Sequence, residues 1–183
     1  MEILITGGAG FIGSHILEQL NERPDVDAVV FDNLSSGSRD HVPARMELVE
    51  GDVCDEEAVD AVFADHHFDA VVHLAAQTMV PTSVENPVLD CQINLEGVLH
   101  VLEACRVHGV PHILFSSSAA VYGDNLNIPL VETERLAPTS PYGITKMTTE
   151  HYLRVYHELY GMDATVFRFA NVYGERQGEK GEG

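Results

Sequence analysis

The chain has 183 residues, a length suited to one α/β domain that buries about 70% of the surface its unfolded form exposes. Ten Lys and Arg stand against 29 Asp and Glu, a formal charge of −19, and so acidic a surface makes nucleic acid and anionic membrane unexpected partners. Cys54, Cys91 and Cys105 lack Cys-x-x-Cys spacing, the histidines are scattered, and there is neither a basic-then-apolar leader nor an apolar run of about 18 residues, so buried thiols, no metal site, no membrane span and a cytoplasmic protein are expected.

Glu2-Ile-Leu-Ile-Thr6 is β-forming sequence that runs into the glycines Gly7, Gly10 and Gly13, after which Phe11, Ile12, Ile16, Leu17 and Leu20 take up helical spacing. Strand, tight turn and helix in that order suit a pyrophosphate. Gly7 lets the chain reverse, Gly10 lets backbone approach the ligand, and Gly13 lets the helix pack close to the strand. The unpaired N–H groups of the first helical turn, from Phe11 and Ile12 onward, then face the phosphates. A second strand, Ala28 to Phe31, ends at Asp32, placed to bind an adenosine ribose and to repel a 2′-phosphate. The expected cofactor is therefore NAD rather than NADP, with Asn33, Ser36 and Gly37 in the polar turn around the ribose.

A short third strand, Met46 to Val49, precedes Asp52 and Val53. Asp52 reads equally as a contact for the adenine amino group and as a cap for an amphipathic helix over 55–65. The fourth strand, 69–75, is apolar nearly throughout, as a strand covered on both faces should be, and delivers Leu74, Ala75, Ala76 and Gln77 where a cofactor could lie close. Pro87 opens a predicted helix to about His108. Asn94 lies inside it, facing solvent, a neighbouring loop or the cofactor. A fifth strand, 112–116, presents Ser116, Ser117 and Ser118 at its C-terminal end, where open α/β sheets place ligands. A helix over 141–160 and a last strand, 163–169, lead to Ala170 and Asn171, and a low-complexity tail, 175–183, is expected to be disordered. Six strands with helical crossovers predict a doubly wound parallel sheet, a Rossmann fold ordered 3-2-1-4-5-6, within one domain over residues 1–174.

Tyr142 and Lys146 are one helical turn apart and share a face. A nearby ammonium and a positively charged nicotinamide ring both favour the phenolate, which makes Tyr142 a candidate proton shuttle. Lysine is otherwise absent until Lys180, so its use at 146 is itself a signal. The same scarcity, with Asp and Glu in its place, matches surfaces adapted to high salt, an ordinary acidic cytosolic protein being the other reading. Ser118 can hydrogen-bond a substrate hydroxyl or carbonyl and lacks the Gly-x-Ser-x-Gly elbow of a nucleophile.

The stretches Thr6-Gly-Gly-Ala-Gly-Phe-Ile-Gly13, Asp32-Asn-Leu-Ser-Ser-Gly37, His73-Leu-Ala-Ala-Gln77, Ser116-Ser-Ser-Ala-Ala-Val-Tyr-Gly123, Tyr142-Gly-Ile-Thr-Lys146 and Arg168-Phe-Ala-Asn-Val-Tyr-Gly174 together resemble the extended short-chain dehydrogenase/reductases, specifically the UDP-glucose 4-epimerase group. The resemblance implies a catalytic group of Ser118, Tyr142 and Lys146. It also implies NAD contacts from Asp52, Val53 and Asn94 among the residues above, and a substrate contact from Asn171 beside those from Ser118 and Tyr142. The implied reaction is 4-epimerisation of a nucleotide sugar: Tyr142 takes the proton of the 4-hydroxyl as hydride passes to NAD, the 4-keto sugar turns over, and hydride returns to its other face. Ala119 and Ala120 stand where related dehydratases carry an Asp-Glu pair. A homodimer through the helices over 87–108 and 141–160 is implied, with Val101 and Tyr152 between subunits. The group continues into a C-terminal substrate lobe beyond the Asn-x-Tyr-Gly motif, so the chain is expected to be truncated, to bind NAD and to turn over little substrate. A sibling nucleotide-sugar enzyme and a non-catalytic NAD sensor are the alternative readings.

Overall fold

A computed structural model describes residues 1–178. Six parallel strands, β1 (Glu2–Thr6), β2 (Asp27–Asp32), β3 (Glu47–Glu50), β4 (Ala70–His73), β5 (His112–Ser118) and β6 (Asp163–Phe169), form one sheet ordered β3-β2-β1-β4-β5-β6. Helices α1 (Phe11–Asn21), α2 (Glu56–Asp65), α3 (Val80–Glu85), α4 (Pro87–Cys91), α5 (Gly97–His108) and α6 (Pro141–Tyr160) supply the crossovers. This is the expected Rossmann topology.

Alternation along the strands divides the core. Ile3 and Ile5 of β1 join Leu17 of α1, Ala28, Val30 and Met46 on one face. Leu4, Val29, Phe31, Val71, Ile113 and Phe115 point the other way and pack on Val62 and Phe63 of α2, Val98 and Leu102 of α5 and Leu153 of α6. Phe31, Phe63 and Phe115 are fully buried, and each such side chain contributes about 1.5–3 kcal/mol of hydrophobic stabilisation.

The predicted helix over 87–108 is not continuous. A π turn at Gln92–Glu96 separates α4 from α5, and a short helix, α3, precedes them in a stretch without helical patterning in the sequence. Val101 is fully buried in the protomer's own core, so it is not an interface residue, whereas Tyr152 is exposed. The expectation of buried thiols holds only for Cys105; Cys54, on a turn, and Cys91, at the end of α4, are exposed, because apolar neighbours in the sequence do not by themselves make a core. Of the predicted tail, Glu175 and Arg176 lie against α1. The Glu175 carbonyl is 2.9 Å from His15 Nε2, and Arg176 pairs with Glu18 at 2.6 Å. Residues 179–183 fall outside the described part.

Candidate active site

The strand order reverses between β1 and β4, and a crevice opens there at the C-terminal edge of a doubly wound sheet. The glycine turn after β1 forms one wall. Gly7 has φ +70°, and a Cβ there would sit 2.6 Å from the Ala75 nitrogen. A Cβ on Gly13 would sit 2.5 Å from the Gly8 Cα, so α1 can approach β1 only because both are glycines. Gly10 differs: a Cβ there would meet only the Gly7 carbonyl, at 3.2 Å. The space above Gly10 is therefore open to a ligand. Gly10 is also the N-cap of α1 with no side-chain cap and no acidic residue in the first turn, so the unpaired N–H groups of Phe11, Ile12 and Gly13 are left for an anion. These features fit a dinucleotide pyrophosphate.

The end expected to take the adenosine is built around Asp32. Its carboxylate is buried and accepts from the Ala9 N–H at 2.9 Å and the Leu34 N–H at 2.8 Å. The Ala9 carbonyl accepts in turn from the Ser38 N–H at 3.0 Å and lies 2.8 Å from His41 Nδ1. Asp32 thus latches the glycine turn to the loop that carries Ser36 and Gly37. Asn33 donates to Asp52 at 2.8 Å, and Asp52 also accepts from the Cys54 N–H at 2.9 Å. Burial raises the Asp52 carboxyl, but these two bonds outweigh it and hold it below the usual range. The cap of α2 is Asp55, which accepts from the Ala58 N–H, so Asp52 is not that cap. Val53 points into the core and its carbonyl is engaged by His100 Nδ1 at 2.9 Å.

Leu74 to Gln77 leave β4 directly opposite the glycine turn, and Asn94 holds them. It is buried on the π turn, its Oδ1 accepts from the Gln77 N–H at 2.8 Å, and its Nδ2 donates to the Gln77 carbonyl at 2.8 Å and to Asp90 at 2.9 Å. Asn94 therefore does not face solvent, and the neighbouring loop is among its contacts. A π turn bulges the helix locally and aims such a side chain sideways.

The residues expected to be catalytic lie where β5 meets α6. Ser140 caps α6 by accepting from the Gly143 N–H. Lys146 is buried, and its Nζ donates to the Ser116 carbonyl at 2.9 Å, lies 4.9 Å from the Phe115 ring centre and 5.8 Å from that of Tyr142. Burial pulls this ammonium down to about 8, with the Asp90 carboxylate opposing. It therefore stays charged at neutral pH. The three serines separate cleanly. Ser117 is buried and donates to Glu150 at 2.5 Å, Ser116 donates to the His73 carbonyl at 3.1 Å, and Ser118 is partly exposed with its Oγ accepting from the Ala120 N–H at 3.1 Å. Ser118 pairs in register with Phe169, which sets Ala170 and Asn171 just beyond it on the same edge.

Supporting groups escaped sequence reasoning. Arg168 of β6 makes a bidentate pair with Glu150 of α6, at 2.7 Å for the shorter contact, and also reaches the Tyr122 hydroxyl at 2.8 Å and the Glu132 carbonyl at 3.0 Å. His73, the one polar residue of an apolar strand, is fully buried with Nδ1 at 2.9 Å from Thr6 Oγ1; among the described residues its Nε2 is the buried side-chain atom without a partner. Asp90 offered one signal: it stands one helical turn before Asn94.

This fold and edge define a dinucleotide-binding α/β domain with a serine, tyrosine and lysine gathered beside the cofactor crevice. Residues 3–183 match the profile of the NAD dependent epimerase/dehydratase family, and the chain belongs to that family. It is 41% identical over 172 residues to the UDP-glucose 4-epimerase of Azospirillum brasilense, covering 94% of this chain and 49% of that one. It superimposes on the crystal structure of Thermus thermophilus UDP-glucose 4-epimerase in complex with NAD with a TM-score of 0.96 at 44% identity, covering all of this chain and 59% of that one. The Thermotoga maritima UDP-glucose 4-epimerase solved with UDP-glucose is similar at a TM-score of 0.95 and 44% identity. The chain thus spans about half to three-fifths of the length of these relatives. The family's cofactor is NAD, and the crevice described above fits it.

Proposed function

We propose that this chain is the NAD-binding part of a nucleotide-sugar 4-epimerase acting on a UDP-hexose. The observation that carries this reading is a buried lysine, Lys146, one turn from Tyr142 and hydrogen-bonded to the Ser116 carbonyl two positions before Ser118, at the edge where a dinucleotide fits. An ammonium next to a phenol favours phenolate, so Tyr142 takes the proton of the sugar 4-hydroxyl and later returns it, while Ser118 hydrogen-bonds the same oxygen. NAD, when bound, supplies the oxidation and re-reduction at that carbon. The residues that would hold it are the glycine turn with Phe11 and Ile12, Asp32 to Gly37 and Asp52 at the adenosine, and Leu74 to Gln77 on the opposite wall. Asn171, just beyond the strand end that pairs with Ser118, would contact the substrate phosphates. No acid follows Ser118 to expel water, since Ala119 and Ala120 stand there, which favours epimerisation over dehydration.

A homodimer in a cytoplasmic setting completes the reading. It is supported by exposed apolar side chains on the adjacent helices α4 (Val88, Leu89) and α6 (Ile144, Tyr152). Among the described residues no helix is long and apolar enough to cross a membrane.

The test has two arms. Calorimetry should show NAD binding to the 183-residue chain. UDP-galactose to UDP-glucose conversion is assayed on the chain and on a form extended to the relatives' length. Turnover should fall by about 10²–10⁴-fold in Tyr142→Phe, as loss of a general base does. Absence of NAD binding, or turnover indifferent to Tyr142→Phe, would overturn the proposal.

A further inference from the structure

Asp32 ends β2, and the residue in register with it at the end of β3 is Glu50. Paired positions of neighbouring strands lie about 5 Å apart and share a face, so two acidic residues stand side by side at the C-terminal edge of the sheet. Their partners differ. Asp32 is buried and accepts from backbone N–H groups, whereas Glu50 is exposed and accepts from Arg39, Nη2 to Oε2 at 2.5 Å.

Arg39 opens a short 3₁₀ turn, Arg39–His41, directly after the loop of Ser36 and Gly37. That turn is pinned to the same corner of the crevice. A Cβ on Gly37 would sit 2.7 Å from the Ala9 carbonyl carbon, the Ser38 N–H donates to the Ala9 carbonyl at 3.0 Å, and the Ala9 N–H is the one that Asp32 holds. Arg39 is also the one Lys or Arg between Arg23 and Arg45. Those two serve the other edge of the sheet, before β2 begins: Arg23 pairs with Asp25, and Arg45 donates to the carbonyls of Leu20, Arg23 and Val26.

An arginine near the ribose is the group with which dinucleotide domains accommodate a 2′-phosphate. This chain has such an arginine, and a carboxylate engages it. An ion pair so exposed contributes only about 0–1 kcal/mol to stability, and the sheet and the Ser38 bond already fix both backbones, so structural support does not account for the pair. We propose that Glu50 is a second determinant of cofactor choice: it engages Arg39, so that the guanidinium is not offered to a 2′-phosphate. Asp32 repels that phosphate, and Glu50 withholds the cation that would attract it. This goes beyond the epimerase reading and rests only on the crevice being a dinucleotide site.

Binding alone tests it. The affinities of the 183-residue chain for NAD, and for NADP by displacement of NAD, are measured by calorimetry at about 0.1 M salt, where charges within about 10 Å still act on one another. The readout is the ratio of the two, since specificity is a difference of affinities. Glu50→Gln should shift the ratio toward NADP by about fivefold or more, as a freed guanidinium gains a charge-assisted bond to phosphate. Arg39→Ala should give no such shift, and Glu50→Gln with Arg39→Ala should lose most of the gain. Each change is on the surface, so folding is not at risk. The same cycle on Asp32→Ala, where the preference for NAD is smaller, should reproduce the Arg39-dependent gain.

A ratio unmoved by Glu50→Gln would overturn the proposal. So would an equal gain without Arg39, which would mean that Glu50 acts only by its own charge. A chain that binds neither dinucleotide would sink the crevice and this proposal together, whereas NAD binding with an unmoved ratio would sink this proposal alone. Turnover is not among the readouts, so failure of the epimerase reading leaves these ratios as they are.

Discussion

Asp32 has two roles that a single substitution cannot separate by affinity alone. In the proposed adenosine site its charge would oppose a 2′-phosphate, and its oxygens fix the Ala9 and Leu34 N–H groups. Asp32→Ala should therefore weaken both NAD and NADP, while the preference for NAD shrinks by about tenfold, a difference of about 1.4 kcal/mol. The ratio of the two dissociation constants is the informative measurement. A ratio unaffected by the change would mean that Asp32 serves the turn and not the choice of cofactor. His73 gives a prediction in pH. Burial, with Lys146 assisting, holds the folded imidazole down to about 3, against 6.5 when unfolded. Between these values the unfolded chain binds a proton that the folded chain refuses. Stability is fully present above about pH 6.5 and is lost as pH falls, at up to about 1.4 kcal/mol per pH unit. Urea titrations at pH 7, 6 and 5 should show this slope, and His73→Asn, whose amide can replace Nδ1 against Thr6, should remove that share of it.

At the scale of elements, the Arg168–Glu150 pair joins β6 to α6 and, through Ser117, Tyr122 and Glu132, to the end of β5 and the loop after it. Both side chains are mostly buried, at 21% and 10% exposure. Removing one partner of such a pair leaves the other uncompensated, at a cost of about 3–5 kcal/mol. Arg168→Met should lower the urea midpoint accordingly, and Arg168→Met with Glu150→Met should recover much of the loss. A double variant no better than the single one would show that the pair acts through packing instead. The elements themselves were legible because their signals are local: apolar strands, glycine spacing, a Ser-Pro helix start and the strand order all follow from short-range pattern and the right-handed crossover rule. The candidate proton-shuttle pair stood out for the same reason, since Tyr142 and Lys146 sit on one helix. What stayed hidden was long-range. Asp90 meets Thr145 across 55 positions of sequence, Arg168 meets Glu150 from a different element, and the π turn that swings Asn94 toward Gln77 has no periodicity of its own. Cys54, Cys91 and Val101 were misread because apolar neighbours in sequence do not fix which way a side chain faces.

For the whole molecule, a formal charge of −19 on 183 residues implies self-repulsion that counter-ions must screen. Raising salt from about 0.1 M to 1 M shortens the screening length from about 10 Å to 3 Å. The melting temperature should rise by about 2–8 °C if this term costs roughly 1–2 kcal/mol. A flat response would remove the high-salt reading and leave an ordinary acidic surface. The same repulsion acts between protomers. Sedimentation at micromolar concentration should therefore show the proposed dimer strengthening with salt, and Ile144→Glu with Val88→Glu should yield monomers in every buffer. A monomer in high salt without those changes would count against the assembly.

The π turn makes one wall of the crevice depend on a residue count. A π turn accommodates one residue more than the α-helix around it, so excising the exposed Gln92 should let α4 and α5 anneal into a single regular helix, with the core-facing phase of Val98, Val101 and Leu102 preserved. The spacing of Asp90 and Asn94 would drop from four positions to three, a rotation of about 100°. A frame-preserving deletion is thereby expected to spare the fold and disable the site, a separation that most substitutions in so buried a layer could not achieve.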